Sequence, residues 1–174
     1  MFMNLIQTLE REHSITITNE IIHWIGNNQQ RFDALMQIIY TAEYRIVQRA
    51  SWPLGYIAAN HPSLINKHYD KMLSLLDQPN QPTAVRRNLL RILDQIPEIK
   101  EAFHGTIMDA CFRYIENPNE PIAVQAFALG ILHKLSTQYP EIVPEILSII
   151  EIRLPEASPA LKSKAKKFYK IARF

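Results

Sequence analysis

Six histidines (His13, His23, His61, His68, His104 and His133), one cysteine (Cys111) and a lysine-rich end are the parts of this 174-residue chain whose types could do chemistry. A zinc hydrolase needs two histidines one helical turn apart with a carboxylate close by, as in HExxH. No two of the six stand four residues apart. His104 and Asp109 share a short stretch, but positions five apart on a helix point in different directions. Paired acids, Glu10 with Glu12 and Glu141 with Glu145, read as solvated helix faces. GxSxG, the Walker A loop and GxGxxG are all missing from the sequence. The residues therefore predict a protein that is not an enzyme, with no catalytic, cofactor-binding or metal-ligating set.

Cys111 alone excludes an internal disulfide and any cysteine-cluster metal site. Inside the amphipathic run "IMDACFRYI" it reads as a small buried hydrophobe. The basic residues are unevenly spread. Six of the 19 lie between Lys162 and Arg173 with no acid among them, which leaves 13 basic against 17 acidic residues elsewhere, a net of −4. Lys162, Lys166, Lys170 and Arg173 follow one another along one helix face, a basic stripe. Two uses compete for it: a polar cap on the end of a repeat array, or an anion patch for an acidic partner or nucleic acid.

These residues need elements to hold them, and the sequence writes those as helices. Only four glycines occur, which argues against hairpin-rich β folds and phosphate-cradling loops. Val85, Leu89, Ile92, Leu93 and Ile96 recur with helical period, and so do Val124, Phe127, Ile131, Leu132 and Leu135. Second stripes follow each: Ile107, Cys111, Tyr114 and Ile115, then Ile146, Leu147, Ile149 and Ile150. The frame Pro-Asn-x-Pro-x-Ala-Val appears at Pro79 and again at Pro118, thirty-nine residues later. Val47 and Leu161 fall in the same register one unit earlier and one unit later, and "ITNEIIHWI" from Ile17 is a shorter copy.

The frame has a physical reading. Pro82, Pro121 and Pro159 suit a helix start, where a missing N–H costs nothing. Pro79 and Pro118 stop the preceding helix, and Asn80 and Asn119 are placed to cap or hold the turn. Trp24 and Trp52 sit at aliphatic positions of the helical frame and are expected in packing. Asn88 interrupts an apolar stripe and is expected to be buried with a hydrogen-bond partner.

Two-helix units of this length joined by proline turns resemble HEAT repeats of the α-solenoid class. Arg49 and Arg87 match the basic residue that family often carries early in its first helix, and Pro53, inside "VQRASWPLGYIA", matches its frequent kink. The resemblance implies an all-α fold, a right-handed superhelix of stacked helix pairs forming one domain over 1–174. Irregular helices would fill 1–44, repeats about 45–81, 82–120 and 121–158, and a capping helix 159–174. It also implies a protein-interaction scaffold whose second helices line a concave face. Exposed positions there, judged from the stripes, are Lys71, Ser74, Asp109, Arg113 and Ser148. The alternative is nucleic-acid binding, since HEAT-like DNA glycosylases remove alkylated bases in a concave cleft. Arg49 and Arg87 are expected to tie neighbouring repeats together. No run approaches the roughly 20 apolar residues of a membrane span, and the start lacks the features of a signal peptide. A cytoplasmic protein with an unidentified protein partner and no membrane contact is the expectation.

Overall fold

In the computed structural model the described residues are 3–78, 81–153 and 159–171. Among them every regular element is helical. The helices are α1 (Leu5–Arg11), α2 (Ile15–Ile25), α3 (Gln29–Thr41), α4 (Tyr44–Asn60), α5 (Tyr69–Leu76), α6 (Thr83–Gln95), α7 (His104–Glu116), α8 (Ile122–Leu135), α9 (Val143–Arg153) and α10 (Pro159–Ile171). They fall into two compact units, Met1–Ile99 and Lys100–Phe174. The boundary lies inside the expected 82–120 unit, between its first helix, α6, and its second, α7.

Local chemistry sets the helix starts. Asn4, Ser14 and Asn28 each accept a backbone N–H with the side chain at the head of α1, α2 and α3, satisfying amides the helix cannot. Gly26, at φ 49, ends α2 with its N–H on the Ile22 carbonyl, a left-handed conformation that costs glycine little. Pro82 and Pro121 stand at the cap positions of α6 and α8, as the repeated frame predicts, and Pro159 is the first residue of α10. At the second joint the side chain that holds the turn is that of Asn117, whose Oδ1 accepts the Asn119 N–H at 3.0 Å. Buried Gln125 completes the turn, its Nε2 donating to the carbonyls of Asn117 (3.2 Å) and Glu120 (2.5 Å). Pro79 and Asn80 of the first joint lie outside the described residues.

A feature the sequence pattern did not announce is a 3-10 turn ahead of each later second helix. These run Pro62–Lys67 before α5, Glu101–Phe103 before α7 and Pro140–Ile142 before α9. His68, His104 and Val143 follow them directly.

In the first unit α4 is the hub, packing against α1, α2, α3 and α6. It runs unbroken through Pro53, and Val47, Ala50, Leu54 and Ile57 are all buried, so the apolar face keeps phase across the proline. Phe32, Ile39, Leu89 and Ile92 add to this core. In the second unit α8 packs on α7 and α10, and α9 packs on α7 and α10. Cys111 is fully buried there with Ile131, Ile146 and Phe168, which is the place expected of it. Each such side chain contributes about 1.5–3 kcal/mol by leaving water.

Trp24 and Trp52 are half-buried, and each ring packs against another side chain. Trp52 meets His13 edge-on, and the Arg31 guanidinium lies 4.8 Å over the Trp24 ring. Asn88 is buried at 1% exposure, yet its Nδ2 finds no acceptor among the described residues. Phe127, the corresponding residue of α8, and Leu147 and Ile149 of α9 are half-buried, not in the core.

Candidate functional site

The second helix of each pair carries the expected contact residues. On α5, Lys71 and Ser74 are exposed. They stand three apart, so they share one face, and the Ser74 hydroxyl donates to the Lys71 carbonyl at 2.9 Å. Behind them lies a partly buried polar cluster centred on His68. The Lys71 ammonium sits 5.9 Å from the centre of the Tyr40 ring, and the Tyr40 hydroxyl is 3.2 Å from His68 Nδ1. His68 Nε2 is 2.9 Å from Asp33 Oδ1, while Lys67 reaches Asp33 Oδ2 at 3.1 Å. Gln29 Nε2 donates to the Asp33 carboxylate at 2.7 Å and to the Leu64 carbonyl at 2.9 Å.

The electrostatics of this cluster say what it does. Burial pushes the Asp33 carboxyl up, but hydrogen bonds from Gln29, His68 and Lys67, with the Lys67 charge, outweigh it and hold the group below its ordinary value. Burial, with the Asp33 charge adding to it, pushes the Tyr40 phenol well above its usual range. The phenol therefore keeps its proton, and the His68 ring bridges the two groups, with Nδ1 toward the phenol and Nε2 toward the carboxylate. Asp33, His68 and Tyr40 thus form a hydrogen-bonded relay between α3 and the head of α5. It fixes α3 against the 3-10 turn and the head of α5, and so sets the base from which Lys71 and Ser74 project.

Sequence reasoning missed the relay because it looked for histidine partners within one helix. Asp33 and His68 stand 35 residues apart, close to one repeat, and that spacing is the signal that could have found them. His104 repeats the arrangement in part: it is buried at the head of α7, with Nδ1 3.1 Å from the Tyr139 hydroxyl, also 35 residues away.

In the second unit Asp109 and Arg113 are exposed one turn apart on α7, and Ser148 is exposed on α9. α7 and α9 pack together, so these three belong to one unit. Lys71 and Ser74 belong to the other. Lys162, Lys166 and Lys170 are exposed along α10, as the stripe predicts; Arg173 lies outside the described residues. Of the two arginines expected to tie elements together, Arg49 does so. Its Nη1 donates to the carbonyls of Leu9 (2.7 Å) and Glu10 (3.1 Å) at the end of α1. Arg87 makes no ion pair or side-chain hydrogen bond with any described residue, so it is not such a tie.

A cleft of about 640 Å³ opens between α1 and α2. Gln7, Trp24 and His23 line it, and the Arg11–Glu20 ion pair at 3.1 Å closes one side. Among the described residues, no group of three or more His, Cys, Asp or Glu side chains is arranged to hold a metal ion.

Helix pairs with proline joints and first helices packed in order, α2 on α4 on α6, fit one family, and the family model described as HEAT repeat domain matches residues 5–171. The chain belongs to the HEAT repeat family. The match reaches back over α1 to α3 of this HEAT repeat protein. No curated protein and no solved structure matches the chain. No helix among the described residues is long and apolar enough to cross a membrane.

Proposed function

We propose that this HEAT repeat protein is a non-enzymatic scaffold whose helix pairs stack into a right-handed superhelix. Its second helices, α3, α5, α7 and α9, then form a concave surface that binds a protein partner. The carrying observation is the exposure of Lys71, Ser74, Asp109, Arg113 and Ser148, polar residues on the helices that such a stack turns inward. The ordered packing of first helices within each unit supports the stack, and the family supports the binding role. A lone buried thiol fits the reducing cytoplasm.

The test is charge reversal. Asp109→Lys with Arg113→Glu should abolish retention of the partner protein while leaving the helical signal and thermal midpoint unchanged, since exposed charges contribute little to stability. Unchanged retention in that variant, with loss on altering first-helix surfaces, would reverse the assignment of the binding face. Nucleic acid retained in place of protein would replace the reading altogether.

A further inference from the structure

One face of α6 carries two arginines that no described residue pairs with. Arg87 and Arg91 stand one turn apart on α6, with Cβ atoms about 5–6 Å apart by helix geometry. Both are half-buried. Neither forms an ion pair or a side-chain hydrogen bond with a described residue, and Asp94, the nearest acid along the helix, is engaged elsewhere. Burial holds the Arg91 guanidinium below its ordinary range and the Arg87 charge adds to that; only the Tyr56 phenol acts the other way.

Tyr56 is brought there by the packing of α4 on α6. The Gln95 side-chain amide lies against Gly55, which places this stretch of α4 beside the end of α6. The next residue, Tyr56, is left 49% exposed beside Arg91. Two guanidinium forks and one phenol ring therefore share a face. Like charges at this spacing oppose helix formation, so a bound anion would relieve a strain already present.

We propose that Arg87 and Arg91 form a binding site for a phosphoryl group carried on a side chain of a partner protein, with the Tyr56 ring as its wall. A phosphoryl group brings close to two negative charges and three acceptor oxygens, which answers two arginines at one point. A carboxylate brings one charge and leaves the second guanidinium uncompensated. Arginine forks match phosphate geometry with paired N–H donors. A nucleic-acid strand needs a continuous basic track, and the chain outside its last segment is net −4, with 13 basic against 17 acidic residues. The site lies on a first helix and does not depend on the second-helix surface proposed above.

The experiment uses the full chain and three probes at equal ionic strength: a short, otherwise uncharged peptide holding one phosphoserine, its unphosphorylated copy, and a generic DNA duplex. Arginine Nε–Hε resonances report binding at the site directly. The phosphopeptide should shift the Arg87 and Arg91 signals, and the other two probes should not. Arg87→Gln with Arg91→Gln should weaken the phosphopeptide about tenfold or more. Without ligand, the same variant should melt no lower than the parent. The Asp109→Lys, Arg113→Glu variant should bind the phosphopeptide as the parent does. Absence of any phosphopeptide shift at millimolar concentration overturns the proposal, and so does undiminished binding by the double Gln variant. Duplex binding lost in that variant would make the ligand nucleic acid and would equally overturn it.

Discussion

Replacing His68 by Phe removes the buried centre of the relay and leaves most of its packing. The ring is 9% exposed and meets Phe32 edge-on, with centroids 5.6 Å apart and planes at 64°, a contact that a phenyl ring can keep. What is lost is the 2.9 Å bond to the Asp33 carboxylate and the 3.2 Å bond to the Tyr40 hydroxyl. A hydrogen bond to a charged group contributes about 1.5–3 kcal/mol and one between neutral groups about 0.5–1.5 kcal/mol. Asp33 keeps Gln29 and Lys67 as partners, and phenyl burial offsets part of the loss. The expected cost is therefore about 2–4 kcal/mol. At about 2–4 °C per kcal/mol for a chain of this size, the thermal midpoint should fall by roughly 5–15 °C in a melt followed by circular dichroism. If the two units melt separately, the first unit's transition should move and the second's should stay. Tyr40→Phe added to His68→Phe should cost far less than it does alone, because its partner is already gone. A fall of under about 1 °C, or full additivity of the two changes, would refute the relay as a structural clamp.

Further outcomes follow from the same coordinates. Arg49→Ala should lower the midpoint by a cost of about 1.5–3 kcal/mol, and hydrogen exchange should quicken first in α1, whose last carbonyls Arg49 holds. Asn88→Leu should raise the midpoint by about 2–6 °C, because a buried amide nitrogen without an acceptor is replaced by an apolar group of similar size. Asp33 has a folded value below its ordinary 3.8, so its contribution is fully present above that pH and is lost as pH falls through the lower folded value. Acid titration of stability should therefore be shallower in Asp33→Asn than in the parent over that window.

The helices were legible in the sequence because burial on one face imposes a period. Val47, Ala50, Leu54 and Ile57 kept theirs across Pro53, and all four are buried. The joints were legible because proline constrains the backbone wherever it stands; Pro82 and Pro121 take equivalent cap positions with φ near −53 and −54. What escaped was decided by partners distant in the chain. Asp33 and His68 look unremarkable until α3 and the turn before α5 are brought together. Asn117 holds the turn with its side chain, as was expected of Asn119, because its Oδ1 reaches the amide two residues on. Arg49 and Arg87 occupy the same place in the repeat pattern, yet only Arg49 meets a helix end, since α1 has no counterpart beside α6 within the first unit. Exposure of the five second-helix residues was legible from the stripes, because positions off the apolar arc face outward whatever they bind.

The central claim is that the second helices hold a protein partner, and placing a photo-crosslinking residue on each side of the array tests it most directly. Ser74 and Ser148 are exposed on α5 and α9, and Gln48 and Ala123 are exposed on the first helices α4 and α8. Illumination in cell extract, followed by mass spectrometry, should give one discrete protein adduct from Ser74 and Ser148 and none from Gln48 and Ala123. The adduct should disappear in the Asp109→Lys, Arg113→Glu background. Adducts formed only from Gln48 and Ala123, or nucleic acid as the crosslinked species, would contradict the account.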